Sequence, residues 1–309
     1  MSFSGEVKEE LTKQIPGSRH CQLAELSAMI RFAGRVAVKE GRVTLEISLD
    51  RASIAKKCYT LLKRAFSCLA RVKLSGDYGV VVEDADSVHR ILQAMKLLDV
   101  HDIPSSEPEL VDGMLVQRSC CKRAYIRGAF LVSGSMSDPQ KSYHFEIVCS
   151  SEKQAEQLCI LMREFVPDAK VVRRKKYYIV YIKEGAQIVD ILNVMEAYTS
   201  LMDLENVRIV KEMRNTVNRK VNCETANINK TVGAAVRQIE DIRLIERKLG
   251  LSSLADNLRE IAEARLEHPD TPLKELGEYL SPAISKSGVN HRLRKLSEIA
   301  EQLREEEGA

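Results

Sequence analysis

The chain has 309 residues, enough for two or three domains. Its 47 basic and 44 acidic side chains leave a net charge of +3, which excludes a globally basic nucleic-acid binder, so any such surface must be local. Aromatics make up 5% of the chain and there is no Trp, which excludes base stacking as the main mode of recognition.

The stretch from Met1 to Glu10 opens as an amphipathic helix rather than a signal peptide, and no apolar run approaches membrane-spanning length. The protein is therefore expected in the cytoplasm, with its eight cysteines reduced. A short helix is expected over 4–14, with Ser4 as its N-cap. Helical spacing follows over 23–33, where Leu26, Met29, Ile30 and Ala33 share a face, and Gly34 ends it. Strands over 36–38 and 43–49 make a hairpin around Lys39, Glu40 and Gly41. In the second strand Val43, Leu45, Ile47 and Leu49 alternate with polar residues, the period of a half-buried sheet. A helix over 53–66 comes next, then a hairpin of strands 72–74 and 78–82 across Ser75, Gly76 and Asp77. A helix over 85–98 closes the series.

Residues 101–118, with Pro104, Ser105, Ser106, Pro108 and Gly113, read as a linker. The same grammar then returns. Helix 124–133 stops at Gly134, and strands 135–137 and 143–149 pair across Asp138 and Pro139. Helix 152–165, a hairpin of 171–174 with 177–182, and helix 187–198 complete it. The two series superpose without a gap at an offset of 100 residues: Cys21 falls on Cys121, Gly34 on Gly134, Glu46 on Glu146, Tyr78 on Tyr178 and Met95 on Met195. A unit this long, present twice, implies a pseudo-symmetric domain rather than a solenoid. From about residue 204 the pattern becomes all helical. Residues 205–215 are helical, 218–231 form a polar, Asn-rich stretch, and 232–249 make a long amphipathic helix ended by Gly250. Helices over 254–266, 272–280 and 287–303 follow.

His20, Cys21, Cys120 and Cys121 would meet if the two halves packed symmetrically. No C-x-x-C pair occurs, so no metal site is expected, and the favoured reading is small buried residues beside helix starts. His89, His101 and His144 read as surface or structural residues, with no paired acid to suggest catalysis. Arg173, Arg174, Lys175 and Lys176 form a basic hairpin, either a solvated turn whose charges protect a sheet edge or a phosphate contact.

The runs L-S-A-M-I-R-F-A-G from Leu26 to Gly34 and I-R-G-A-F-L-V-S-G from Ile126 to Gly134 each resemble the signature helix of LAGLIDADG homing endonucleases, whose unit is αββαββα. The resemblance implies that the two helices pack side by side, and small Ala28 and Gly128 suit that contact. Nuclease members carry an acid just before the terminal glycine of each helix, where two carboxylates hold a divalent metal. Those positions are Ala33 and Ser133, and neither is a carboxylate. Glu46 and Glu146 also fall on the polar face of equivalent strands, which makes the sheet surface a poor DNA saddle.

Three longer runs extend the resemblance over nearly the whole chain: V-N-R-K-V-N-C-E-T-A-N-I-N-K-T from Val217, R-G-A-F-L-V-S-G-S-M-S-D-P-Q-K-S-Y-H-F-E-I from Arg127, and L-K-E-L-G-E-Y-L-S-P-A-I-S-K-S-G-V-N-H-R-L-R-K-L from Leu273. Together they are similar to the bacterial WhiA family. The resemblance implies an α+β chain: a duplicated LAGLIDADG-like αββαββα domain over 1–204 (repeats near 20–100 and 120–200), a linker helix over 205–222, and an all-α helix-turn-helix domain over 223–309. It further implies a transcription regulator without nuclease activity. That role is tied to sporulation in filamentous actinobacteria, and to cell division and chromosome segregation elsewhere.

The C-terminal residues carry the same reading on their own. Pro272 suits a first helical turn, Leu273, Leu276 and Leu280 give an apolar face, and Gly277 allows a close crossing. Ser281 to Ile284 is the turn, and Ser285 or Ser287 can cap the next helix. Val289, Leu293 and Leu296 then face inward. Lys274, Ser285, Lys286, Ser287, Asn290, His291, Arg292, Arg294 and Lys295 are the expected DNA contacts, since Asn and cations at a helical edge suit base edges and phosphates. Asn218, Arg219, Asn222, Asn227 and Lys230 fit either a polar junction held by side-chain to backbone bonds or further DNA contact. The expected partners are double-stranded DNA and a regulator protein on the duplicated domain, the expected state is a nucleoid-associated monomer, and no cofactor or membrane is expected. A metal-dependent homing endonuclease or maturase is the rival reading, disfavoured by Ala33 and Ser133. A pure protein-interaction module is a third.

Overall fold

The sheet and helix order of the first series repeats in the second, with matching strand pairing. This is seen in a computed structural model that describes residues 2–39, 42–74, 78–98, 101 and 105–308. The chain divides into two units, Met1–Lys211 and Glu212–Ala309.

In the first unit α1 (Phe3–Lys13) precedes the first repeat: α2 (Arg19–Ala33), β1 (Gly34–Lys39), β2 (Arg42–Leu49), α3 (Ala52–Phe66), β3 (Arg71–Lys73), β4 (Tyr78–Val82) and α4 (Ala85–Ala94). The second repeat is α5 (Ser119–Ser133), β5 (Gly134–Met136), β6 (Phe145–Cys149), α6 (Glu152–Arg163), β7 (Lys170–Arg174), β8 (Tyr177–Ile182) and α7 (Gly185–Met195). Each repeat makes one antiparallel sheet, in the order β1-β2-β4-β3 and β5-β6-β8-β7. The registers coincide at the offset of 100: Arg35 faces Glu46 and Glu46 faces Val81, while Ser135 faces Glu146 and Glu146 faces Tyr181. Because side chains alternate along a strand, Leu45 and Ile47, and likewise Phe145 and Ile147, point into the core beneath the helices.

Helices α2 and α5 form the centre of this unit. Ala28 is fully buried, and a Cβ added to Gly128 would lie 2.5 Å from the Glu25 carbonyl oxygen and 3.0 Å from the Ala28 Cβ. The absent side chain at 128 is what lets the two backbones approach. Beside that contact lies an ion network that the sequence does not announce, with Glu25, Lys57 and Arg127 buried and Glu196 at its partly exposed edge. Glu25 pairs with Lys57 Nζ at 2.5 Å and accepts from Arg127 Nε and Nη2 at 3.3 and 3.2 Å. Arg127 Nη1 also donates to Glu196 at 2.6 Å and to the Met195 carbonyl, and Lys57 donates to the Leu11 carbonyl at 2.7 Å. Burial pulls Lys57 below its ordinary lysine value, against the attraction of Glu25. Burial also works against the Arg127 charge, but Glu25 and Glu196 together outweigh it and leave Arg127 raised.

Several sequence expectations are corrected here. Ser2, not Ser4, caps α1 by accepting from the Gly5 N–H, while the Ser4 hydroxyl accepts from the Met136 N–H of the second repeat. The helix expected over 23–33 begins at Arg19, the one expected over 85–98 ends at Ala94, and Tyr198 belongs to the next helix rather than to α7. The hairpin turn at Glu40 and Gly41, the turn at Ser75, Gly76 and Asp77, and Pro104 lie outside the described residues. The described part of the linker is docked: Val111 and Val116 are buried, and Gln157 exchanges two 2.8 Å hydrogen bonds with the Val111 backbone. Arg31, lowered by burial, donates to the Leu110 and Met95 carbonyls, both at 2.7 Å.

The helices expected over 205–215 and 232–249 are one, joined through the polar stretch 218–231. Helix α8 spans Tyr198–Leu249. Its start is capped by Glu10, whose carboxylate accepts from the Thr199 and Ser200 N–H groups at 2.7 and 2.9 Å.

In the second unit the end of α8 is followed by α9 (Asp256–Glu267), α10 (Leu273–Leu276), a 3-10 turn (Gly277–Tyr279) and α11 (Lys286–Gly308). Ile242 and Ile245 of α8, Ile261 of α9, Leu276 of α10 and Val289, Leu293, Leu296 and Ala300 of α11 make one apolar core. The helix expected over 272–280 is shorter, because its backbone tightens at Gly277. A Cβ there would lie 2.3 Å from the Ile284 carbonyl oxygen, so glycine lets the turn fold back onto α10. Among the described residues, no helix is long and apolar enough to cross a membrane.

Candidate nucleic-acid interface

Helix α11 is built to bury one face and present another. Val289, Leu293, Leu296 and Ala300 recur at helical spacing and are buried. Lys286, Ser287, Asn290, His291, Arg294 and Lys295 occupy the opposite positions and are all exposed. Ser285 caps the helix: its hydroxyl accepts from the Gly288 N–H at 3.3 Å and lies 2.9 Å from the Ser287 hydroxyl. That cap fixes the N-terminal turn carrying Lys286 and Asn290, the turn that recognition helices present to a major groove.

Arg292 is a correction. It is half-buried and its guanidinium is turned inward, where Nη1 donates to the Asn257 carbonyl at 3.2 Å and reaches Glu260 at 3.5 Å. It ties α11 to α9 and is not part of the outward face. Arg294 is exposed and pairs loosely with Glu298 one turn on, at 3.3 Å. Such exposed pairs contribute little, so Arg294 remains available to another anion. Asp241 of α8 binds the far part of α11, accepting from Ser297 Oγ and Arg304 Nη2, both at 2.6 Å.

Lys274 and Lys286 line a cleft of about 630 Å³ together with Lys230 of α8. Its floor includes Arg265, only 2% exposed and lowered by burial, which donates to the Thr271 carbonyl at 2.8 Å. Three sequence-nominated cations thus converge on one concavity. Asn218, Arg219, Asn222 and Asn227 do not converge with them. They are exposed on α8. Asn227 Nδ2 donates to Cys223 Sγ at 3.8 Å, within the same helix.

In the first unit, Ala33 and Ser133 are the last residues of α2 and α5. The Ser133 hydroxyl donates to the Ala129 carbonyl at 3.3 Å, within its own helix. Neither position offers a carboxylate to a divalent cation. On the sheets, Glu46 is bound by Arg35 at 3.1 Å, and Glu146 accepts from Ser135 Oγ at 3.0 Å and lies 3.0 Å from His144 Nε2. His144 therefore does have an acid partner, contrary to the sequence reading, and its ring stacks on Tyr181. The two strand acids are held by neighbours rather than presented bare. In the basic hairpin, the Arg173 guanidinium sits over the Tyr178 ring and the Lys176 ammonium over Tyr177.

At the opposite ends of α2 and α5 from positions 33 and 133, the first turns bring His20, Cys21, Cys120 and Cys121 together. Burial and the neighbouring Cys120 and Cys121 push the Cys21 thiol up to about 12, and burial with Cys120 raises Cys121.

Comparison with known proteins gives three family matches in chain order: a WhiA N-terminal LAGLIDADG-like domain over 19–98, a WhiA LAGLIDADG-like domain over 122–214, and a WhiA C-terminal HTH domain over 217–300. The chain is 51% identical to a protein of Lachnoclostridium phytofermentans named probable cell division protein WhiA, over 99% of this chain and 100% of that one. It is 50% identical to a protein of the same name from Alkaliphilus oremlandii, over 99% and 98%. Among solved structures it resembles a full-length DUF199/WhiA from Thermatoga maritima, with a TM-score of 0.58 and 25% identity, covering 98% of this chain and 99% of that one.

Proposed function

The chain belongs to the WhiA family, and from that premise we propose that it is a DNA-binding transcription regulator without nuclease activity, acting in cell division and chromosome segregation or in sporulation. The relatives' shared name, probable cell division protein WhiA, supports the process. The observation that carries the biochemical reading is the outward face of α11. Lys286, Ser287, Asn290, His291, Arg294 and Lys295 stand exposed opposite a buried stripe, on a helix whose start is capped and preceded by a turn. Cations there meet phosphates, and Asn290 near the helix start reads base edges. Lys230, Lys274 and Ser285 extend the surface, with Asn218, Arg219, Asn222 and Asn227 as further contacts along α8. Residues 1–204 act as scaffold and as the dock for a partner regulator protein, 205–222 link, and 223–309 bind DNA. The protein works as a monomer at the nucleoid, in the cytoplasm.

The absence of cleavage follows from chemistry. A methyl group at 33 and a helix-bonded hydroxyl at 133 supply no anionic oxygen to hold a divalent cation against a phosphodiester. The test compares intact protein with its Lys286→Ala/Arg294→Ala/Lys295→Ala variant in gel shifts on genomic fragments, and incubates supercoiled plasmid with protein and magnesium. Equal shifts by both proteins would remove the assignment to α11, and nicked plasmid would remove the claim of no nuclease.

A further inference from the structure

The two halves of the first unit meet again at the start of their signature helices, in a cluster that the DNA-binding role does not use. His20 and Cys21 lie in the first turn of α2, and Cys120 and Cys121 in the first turn of α5. One ligand atom from each, the imidazole nitrogen and three sulfurs, lies within 4.8 Å of every other. His20 Nδ1 is 3.2 Å from Cys121 Sγ, 3.3 Å from Cys21 Sγ and 4.0 Å from Cys120 Sγ. We propose that these four side chains form a tetrahedral zinc site that joins the two repeats.

The distances carry this. With Zn–S near 2.3 Å and Zn–N near 2.0–2.1 Å, a tetrahedron has N···S edges of about 3.6 Å and S···S edges of about 3.8 Å. The three nitrogen–sulfur separations straddle that value. Hydrogen bonding does not account for the arrangement, because an imidazole nitrogen has one lone pair or one proton and cannot serve three sulfurs at once. A shared central ion can. Three soft thiolates and an imidazole are the ligand set that selects zinc over magnesium or calcium.

The surroundings fit a closed structural site. Cys21 and Cys121 are buried against Ala24 and Ala124, which form a small apolar cluster of their own and shut one side. Three thiolates around a divalent ion leave a net charge of −1. The first turns of α2 and α5 hold no acid, and their free N–H groups favour negative charge there. The exposed Arg118 guanidinium lies 3.4 Å from His20 Nε2 and adds a positive charge at the rim; with the metal on Nδ1, Nε2 carries the proton and Arg118 turns outward. The site is remote from the vestigial nuclease positions. Cys21 and Ala33 are twelve residues apart on α2, about 18 Å along the axis. Its role is to fix the helix pair, not to touch DNA. The repeat itself generates the site, since the offset of 100 places Cys21 on Cys121 and His20 on Cys120, so each half supplies one adjacent pair.

The experiment uses full-length protein without a metal-binding tag, purified under reducing conditions. Plasma emission should find about one zinc per chain, as a four-ligand structural site requires. Replacement by cobalt(II) should give thiolate-to-metal charge-transfer absorption and the intense visible bands of a tetrahedral centre. Cys21→Ser and Cys121→Ser should each lower bound zinc at least tenfold, while Cys223→Ser, at an exposed cysteine on α8, should leave it unchanged. If the serine variants fail to fold, zinc-edge X-ray absorption on the unaltered protein decides, with three sulfurs and one nitrogen expected. Protein that holds no zinc and takes up no cobalt overturns the proposal. So does a Cys21–Cys121 disulfide in freshly lysed reducing cytosol, an absorption shell of oxygen and nitrogen alone, or zinc retained in both serine variants.

Discussion

Replacing Glu25 with Gln tests the buried network at the centre of the first unit. The change keeps shape and size but removes the carboxylate that Lys57 and Arg127 share. Arg127 would keep Glu196 at 2.6 Å, while Lys57 would keep only neutral acceptors, the Leu11 carbonyl at 2.7 Å and the new amide oxygen. One buried cation is thus left without an anion, which costs about 3–5 kcal/mol. For a unit of this size that lowers the melting temperature by roughly 6–20 °C. The readout is clean because the chain has no Trp, and every aromatic residue except Tyr279 lies in the first unit. Near-ultraviolet circular dichroism during urea or thermal unfolding therefore follows that unit. Adding Lys57→Met to Glu25→Gln removes the orphaned charge, so the double variant should be more stable than the single Gln variant, with a coupling of at least about 1 kcal/mol. A loss below about 1 kcal/mol for Glu25→Gln, or strict additivity of the pair, would refute the view that these charges stabilise as a unit.

Gly128→Ala should destabilise the first unit by about 1–3 kcal/mol, because its Cβ meets the Glu25 backbone, and thermal unfolding would register it. Gly277→Ala should do the same to the second unit and weaken DNA binding through loss of fold, visible as reduced helicity in far-ultraviolet dichroism. Arg292→Ala should lower the stability of the second unit but leave the salt dependence of DNA binding unchanged, since its guanidinium faces Asn257 and Glu260. Burial lowers Lys57 below the unfolded value of 10.5. Between the two values the unfolded chain binds the extra proton, so wild-type stability should rise with pH relative to Lys57→Met in that window, and pH-resolved unfolding curves would detect the difference.

The duplicated fold was legible because its signals are periodic and doubled. Alternation in 43–49 and the coincidence of Gly34 with Gly134 specify strands and stops that recur as registered sheets. Continuity of α8 was not legible. Asn and Thr are weak helix formers, so 218–231 reads as a polar stretch between two helices, but an exposed helical run tolerates them when strong formers flank it. The ion network was hidden because a charged residue in a helical pattern reads as a solvent position. Only tertiary packing of α2, α3 and α5 turns Glu25, Lys57 and Arg127 toward each other. Arg292 carried a usable signal. It lies three residues after Val289 and four before Leu296, both buried, and so at the rim of the inward stripe rather than on the face of Asn290. The His20 and Cys121 cluster was visible as matched positions in the two repeats, but its closeness depends on how the helix pair packs.

Salt-dependent DNA binding tests the central claim most directly. The logarithm of the binding constant of intact protein should fall linearly with the logarithm of salt concentration, and each phosphate neutralised contributes about −0.9 to the slope. With Lys286, Arg294 and Lys295 replaced by Ala, the slope should flatten by about one for each cation that reaches a phosphate. An identical slope in the two proteins would contradict the assignment of DNA contact to the outward face of α11.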